Sequence, residues 1–241
     1  MTHPTRAMVL AAGLGTRMAP ITNTRPKPLV EVLGKPLIDY SLDHLFGVGI
    51  RHTIVNTHYF PEQIESHLAT RKGVHFSREA SRLETGGGVY NALPALGRHA
   101  FFVLNSDALW IDGPSPVLGR LTEAWNSHQM DALLLFHPTV RLINYSGLGD
   151  YHLEPNGSAR RRVESEVAAF IFAGVQILHP RLFKDAPGGA FSLNVLYDKA
   201  EAAGRLFALV HDGDWYHVGT PKEVTMAETA LTQGNVSVNS R

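Results

Sequence analysis

Gly13, Gly15, Thr16 and Arg17, with Lys27 downstream and Asp107 in mid-chain, are residues of this sequence whose types could handle phosphate. The apolar run Met8 to Ala12 reads as a buried strand and breaks into Gly13-Leu14-Gly15-Thr16-Arg17. Backbone free of Cβ interference there can present N–H groups, over Ala11, Ala12, Gly13, Gly15 and Thr16, to phosphate oxygens. The third glycine of the dinucleotide fingerprint and the Lys-Ser/Thr ending of a P-loop are both missing, which excludes those two cradles. Lys27 stands between Pro26 and Pro28. Each proline restricts the residue before it, so Arg25 and Lys27 are expected to be extended, with Lys27 on a stiff strap that aims one ammonium at a charged centre. Taken singly, Arg17 and Lys27 are equally readable as solvated surface charges.

Two further constellations lie where strands should end. Glu84-Thr85-Gly86-Gly87-Gly88 precedes a helical pattern through Val89, Leu93 and Leu96 and reads as the loop leading into that helix. Three glycines in a row cost backbone entropy and make sense where another group approaches the main chain closely. A nucleobase edge is the natural candidate, and a flexible loop is the plain alternative. Phe101 to Leu104 reads as a central strand ending in Asn105, Ser106 and Asp107. A carboxylate at such an end is placed to hold Mg²⁺, a hard cation that favours oxygen ligands, or simply to cap the next turn.

The elements that must position these residues alternate. Pro36 opens a helix through Leu37, Ile38, Leu42, Leu45 and Phe46; His52 to Asn56 reads as a strand; Pro61 starts a helix with Ile64 and Leu68 inward; Val74 to Phe76 reads as a third strand. Such βαβαβ alternation predicts an α/β fold with a mainly parallel sheet, helices on both faces and ligands at the strand C-terminal ends. A helix is expected over Pro116 to His128 and a strand over Asp131 to Phe136. Beyond them the pattern changes to paired strands, around Gly149 to Leu153 and Val167 to Leu178, with Pro155-Asn156-Gly157 as the turn between. Phe191 to Ala203 is helical, Leu206 to Val210 a late strand, Pro221 to Leu231 a last helix, and Gln233 onward a loose tail.

The motif LAAGLGTRM followed by TRPKPL closely resembles the signature of the sugar-1-phosphate nucleotidyltransferases, including the spacing from Arg17 to Lys27. The resemblance implies a three-layer, Rossmann-like (glycosyltransferase-A-like) nucleotidyltransferase fold and in-line attack of a sugar 1-phosphate on the α-phosphorus of a nucleoside triphosphate. It implies one domain over 1–241, with a nucleotide half to about residue 130, a sugar-phosphate half over about 131–232 and a tail over 233–241. By the same resemblance Arg17 would hold the leaving pyrophosphate, Lys27 would stand between the reacting phosphates, and Asp107 would hold Mg²⁺, or Mn²⁺. Glu84, Gly86, Gly87 and Asn105 join the loop residues as nucleotide contacts. Asp150, Ala173, Gly174 and Asn194 become sugar-phosphate contacts, although Asn194 is also readable as a helix-start hydrogen bonder. ETGGG resembles the version in N-acetylmuramate-1-phosphate uridylyltransferases, so UTP and N-acetylmuramic acid 1-phosphate are the expected pair in cell-wall recycling. A mannose-1-phosphate guanylyltransferase or other sugar- or choline-phosphate enzyme is the alternative. A catalytically weak nucleotide-sugar-binding regulator is the alternative of another class.

One position departs from the pattern. The family usually has W-x-D-V-G-T-P, whose Asp is a second metal carboxylate, and this chain has His217 in WYHVGTP. Imidazole is a poorer Mg²⁺ ligand than carboxylate. His217 could touch phosphate or water, ligate a different metal, or be structural in a weakened enzyme.

Composition limits the rest. At 241 residues with 44% hydrophobic and 18% charged residues, the chain suits one α/β domain with a sizeable core. Lys+Arg and Asp+Glu both number 22, so no net field favours nucleic acid or an anionic membrane. There is no cysteine, hence no disulfide or thiolate metal site. No stretch approaches the ~18 apolar residues of a membrane helix, and no signal-peptide pattern follows MTHPTR. A cytoplasmic monomer or small homo-oligomer is expected.

Overall fold

Strand-to-helix alternation builds the first half. In a computed structural model, which describes residues 3–142 and 145–238, the elements run β1 (Ala7–Leu10), β2 (Glu31–Val32), β3 (Lys35–Pro36), α1 (Leu37–Gly47), β4 (Thr53–Thr57), α2 (Pro61–Leu68), β5 (Val74–Arg78), α3 (Glu84–Leu96) and β6 (Phe101–Asn105). The second half continues with β7 (Leu109–Ile111), α4 (Val117–Ala124), β8 (Ala132–Pro138), β9 (Tyr151–Leu153), β10 (Ala159–Arg161), β11 (Phe170–Leu178), α5 (Asn194–Ala202), β12 (Leu206–Val210), β13 (Asp214–Tyr216) and α6 (Pro221–Val238). The nine-stranded sheet has the order β5-β4-β1-β6-β11-β8-β12, with β9 and β10 added where β11 begins. Strands β5, β4, β1 and β6 are parallel, and β11 is antiparallel to both β6 and β8. The sheet is therefore mixed: the first half contributes four parallel strands, and in the second half β12 runs parallel to β8 while β11 opposes both its long neighbours.

Alternation of side chains along β1 divides the core. Ala7 and Val9 pack into the layer of α1, α2 and α4, with Ile38, Leu42, Ile64 and Leu118; Met8 packs into the layer of α3 and α5, with Val89, Leu96 and Leu196. Helix α1 forms because Pro36 presets its start and Leu37, Ile38, Leu42 and Leu45 make one stripe, all buried. Each such side chain contributes roughly 1.5–3 kcal/mol on burial. A third cluster joins Met18, Val30, Val32 and Leu37 to Leu109 and to Val218, Ala227 and Leu231 around α6, so the last helix covers the segment after the first loop.

Several expectations need correction. The Gly86 to Gly88 run is the first part of α3 rather than a loop before it. Lys27 is not extended: it opens a 3₁₀ turn, Lys27–Leu29, held by Leu29 N–H to Pro26 O at 2.9 Å and Val30 N–H to Lys27 O at 3.0 Å, and these bonds outweigh the pre-proline preference. The Pro155-Gly157 turn joins β9 to the unforeseen β10, not to β11. Helix α4 stops at Ala124, short of His128, where the Asn126 side chain accepts the His128 N–H at 3.0 Å and offers the backbone a turn instead. Helix α6 runs on through Val238, beyond Leu231 and into the expected tail; with no proline to stop it, propagation past Gly234 costs only about 1 kcal/mol. The last three residues of that tail lie outside the described residues.

A two-compartment candidate active site

The C-terminal ends of β1, β4, β5 and β6 open on a cavity of about 240 Å³, which meets a larger cleft of about 910 Å³ on the β11 side. Asn105 and Asp107, at and just beyond the end of β6, line both compartments and form their seam. Here Lys27 Nζ donates to Asp107 Oδ2; the two side chains are 13% and 35% exposed. The glycine loop shapes this corner. Gly15 has φ +63°, its carbonyl accepts from Met18 N–H at 2.8 Å and Thr22 Oγ1 at 2.9 Å, and a Cβ would meet Lys27 Cβ at 2.8 Å. A side chain there would push the lysine away.

The smaller compartment is lined by Ala12, Gly13, Gly15, Lys27, Glu84 and Thr85 among others. It also exposes residues that sequence reasoning missed: Asn56, Glu79 and Arg82. Asn56 Oδ1 accepts the Ala11 N–H at 2.8 Å, Asn56 Nδ2 donates to Glu79 Oε1 at 2.7 Å, and Glu79 Oε2 accepts the Leu83 N–H at 3.1 Å. Glu79, 5% exposed, is thus satisfied by hydrogen bonds and, through Asn56, ties the glycine loop to the start of α3. The Ala11 N–H is used within the protein, and the loop's N–H groups from Ala12 onward are those left to face a ligand. An Asn at the end of a parallel strand was the available signal for this relay.

Gly86 and Gly87 do not line the compartment. Their N–H groups donate to Phe191 O at 2.8 and 3.1 Å, and a Cβ would lie 2.3 Å from the Phe191 ring at Gly86 and 2.2 Å from Gly189 O at Gly87. The close approach inferred for a base edge is made by the chain's own 189–191 segment.

The larger cleft is walled by Arg17, Asp150, Ala173, Gly174, His217 and the first turns of α6. Gly174 has φ +78° at a bulge in β11, where a Cβ would stand 3.0 Å from Asn105 Nδ2, so glycine lets β11 press against the seam. Asp150 Oδ2 accepts the Phe172 N–H at 3.0 Å, which orients the carboxylate at the wall. Asn194, the exposed first residue of α5, lines neither compartment. A two-stranded ribbon pairs Asp214, Trp215 and Tyr216 of β13 with Ile111, Trp110 and Leu109 of β7. This register carries His217 to the same cleft as Asp107. His217 Nε2 lies 3.7 Å from Glu223 Oε2, which also accepts from Gly219 N–H and Thr220 Oγ1 at 2.9 and 3.0 Å and fastens the start of α6. His137, 1% exposed on β8, lines the cleft as a neutral ring: burial, then His211 and Arg141, hold its pKa down at about 4.

Residues 6–141 match the family model described as Nucleotidyl transferase. The chain belongs to the nucleotidyl transferase family. This nucleotidyl transferase is 39% identical to the N-acetylmuramate alpha-1-phosphate uridylyltransferase of Caulobacter vibrioides over 95% of the chain and 98% of the relative. It is 35% identical to the enzyme of the same name from Neisseria meningitidis, over 89% and 93%. A mannose-1-phosphate guanylyltransferase catalytic subunit beta of Drosophila melanogaster is 30% identical over 91% of this chain but only 60% of its own length. Among solved structures, a UDP-glucose pyrophosphorylase complexed with UDP-glucose superposes with a TM-score of 0.77 at 19% identity, covering 96% of this chain and 99% of the other, a likeness of fold. Among the described residues no helix is long and apolar enough to cross a membrane.

Proposed function

We propose that this protein transfers the uridylyl group of UTP to N-acetylmuramic acid 1-phosphate, forming UDP-N-acetylmuramic acid and pyrophosphate, in the cytoplasm as a step of cell-wall sugar recycling. The observation that carries the reading is the seam: two compartments meet at Asn105 and Asp107 with Lys27 beside them. In this assignment UTP lies in the smaller compartment and the sugar phosphate in the larger. A sugar phosphate oxygen attacks the α-phosphorus, the bond to the β-phosphate breaks, and pyrophosphate leaves. Both substrates are anionic, so positioning and charge compensation do the catalysis. In this assignment Lys27 sits between the approaching phosphates, and Arg17, exposed on the larger-cleft side of the seam and without an ion pair among the described residues, reaches across the seam to take the leaving pyrophosphate through its guanidinium fork. The near-full-length match to the two uridylyltransferases supports UTP and the muramic sugar over the mannose alternative.

Asp107 is the carboxylate that would hold Mg²⁺ or Mn²⁺. Among the described residues no three His, Asp or Glu side chains converge on a metal position, which fits an ion whose remaining ligands are phosphate oxygens and water. The chemistry such an ion supplies is neutralisation of phosphate charge and orientation of the reacting groups. His217 lines the same cleft as Asp107, with Glu223 Oε2 3.7 Å from its ring.

The test is pyrophosphate release with each nucleoside triphosphate crossed against a panel of sugar 1-phosphates, with Mg²⁺ and with Mn²⁺. Release confined to UTP and N-acetylmuramic acid 1-phosphate supports the reading. Release with another pair moves the substrate. Binding without release under any condition would turn the assignment toward a regulator.

A further inference from the structure

The larger cleft is lined by three cations and by the carboxylates of Asp107, Asp150, Asp214 and Glu223, yet the cations are not paired with them. Arg17, Arg141 and Lys222 all line it, and none has a carboxylate within ion-pair distance among the described residues. Arg17 leaves the phosphate loop, and Lys222 stands in the first turn of α6 beside Glu223 and the His217 loop. Arg141 belongs to a different wall, the 3₁₀ turn Thr139–Arg141 after β8 on the way to Asp150. It is exposed to the cleft and nearly unused: the Asp212 carboxylate is taken by Arg120 at 2.6 Å, leaving Arg141 Nη1 a long 3.3 Å bond to the Asp212 carbonyl. Asp150 is committed through Oδ2 to the Phe172 N–H, and Asp214, in the same cleft, stands beyond ion-pair distance. His137 beside it adds no charge.

We propose that Arg141 determines sugar specificity by receiving the carboxylate of the lactyl ether, the group that distinguishes muramic acid from other N-acetylhexosamines. The proposal rests on the reaction assigned above. The phosphates of both substrates already have Arg17 and Lys27. A planar guanidinium matches a carboxylate bidentately, and a site with one unpaired cation on its sugar wall discriminates against a sugar that leaves that cation unanswered. A hexose phosphate with no carboxylate on its ring would leave it so.

The experiment uses the whole protein with UTP and three sugar phosphates: N-acetylmuramic acid 1-phosphate, the same compound with its lactyl carboxylate methylated, and N-acetylglucosamine 1-phosphate. Wild type should prefer the free acid to the ester in kcat/KM by about 10- to 100-fold, the worth of a charge-assisted bidentate bond. In Arg141→Met that preference should shrink to within about threefold, mainly through KM, and Arg141→Lys should restore part of it by keeping charge without the fork. A preference that survives in Arg141→Met, or that disappears instead in Lys222→Met, overturns the proposal and leaves the reaction standing. A wild-type protein that uses N-acetylglucosamine 1-phosphate as well as the muramic sugar, or uses neither, overturns the assigned substrate and the proposal with it.

Discussion

The carbonyl oxygen of Phe191 accepts both the Gly86 and the Gly87 N–H, at 2.8 and 3.1 Å, so the first turn of α3 is closed by a segment from the other half of the chain. Phe191 N–H returns a bond to Leu83 O at 3.1 Å, and Leu193 N–H donates to Thr85 Oγ1 at 3.0 Å. Glu84 and Thr85, which line the smaller compartment, are held between these bonds. Gly87→Ala should therefore destabilise the fold by about 2 kcal/mol or more, since its Cβ meets backbone rather than a movable side chain. Gly13→Ala, with no atom within 4 Å of the new Cβ, should stay within about 0.5 kcal/mol and act on the KM for UTP instead. Thermal melts and UTP kinetics of the two variants check the contrast; equal melting temperatures would refute the interlock.

Lys27→Ala separates catalysis from stability. The Lys27–Asp107 pair is partly exposed, so its loss should cost no more than about 1 kcal/mol of folding free energy. In the proposed assignment the chemical rate should fall by about 10²- to 10³-fold, since there the lost charge faces the charge that develops in the transition state. Single-turnover kinetics with saturating substrates provide the measurement, and a rate within a factor of a few of wild type would remove Lys27 from the mechanism.

If Asp107 holds the ion as proposed, His217→Asp should lower the Mg²⁺ concentration needed for half-maximal activity by about tenfold, by adding a hard oxygen ligand in the same cleft. The new carboxylate would stand near Glu223, now 3.7 Å from the His217 ring, and that like-charge contact should cost roughly 1 kcal/mol of stability. Mg²⁺ titrations of pyrophosphate release, with Mn²⁺ binding followed by electron paramagnetic resonance, decide the point. An unchanged or higher metal requirement would place His217 away from the ion.

Stability should fall with acid over a defined window. His137 has a folded pKa of about 4 against 6.5 for the free group, through burial first and then His211 and Arg141. The unfolded chain takes up that proton first as pH falls. Its contribution is complete above about pH 6.5 and is lost on the way down to about pH 4, on the order of 3 kcal/mol in all. Denaturant melts between about pH 7.5 and 4.5 follow it. His137→Gln should flatten the slope, and a variant as acid-sensitive as wild type would assign the loss to other groups.

Local signals account for what was legible from residues alone. The break from the apolar β1 run into Gly13-Leu14-Gly15 marked a strand end, and Gly15 does carry the positive φ that favours glycine. The Leu37, Ile38, Leu42, Leu45 stripe gave α1 to within a residue at its start. The short β7–β13 ribbon was not legible, because three-residue strands have too few alternations to stand out and their stability comes from a partner about a hundred residues away. The end of α4 was equally hidden, since an Asn turn competes with helix by a margin set by tertiary packing.

The sequence by itself determined the reaction class, through the resemblance of LAAGLGTRM and TRPKPL to the nucleotidyltransferase signature, because a motif of near neighbours in the chain keeps its local relation whatever surrounds it. Only the tertiary structure decided what Gly86 and Gly87 pack against, that the Ala11 N–H is taken by Asn56, and that Arg141 shares a cleft with Asp150 and Asp107. Those relations are contacts between distant segments, set by sheet order and by the register of β13 on β7, and periodicity along a chain carries no information about register across it.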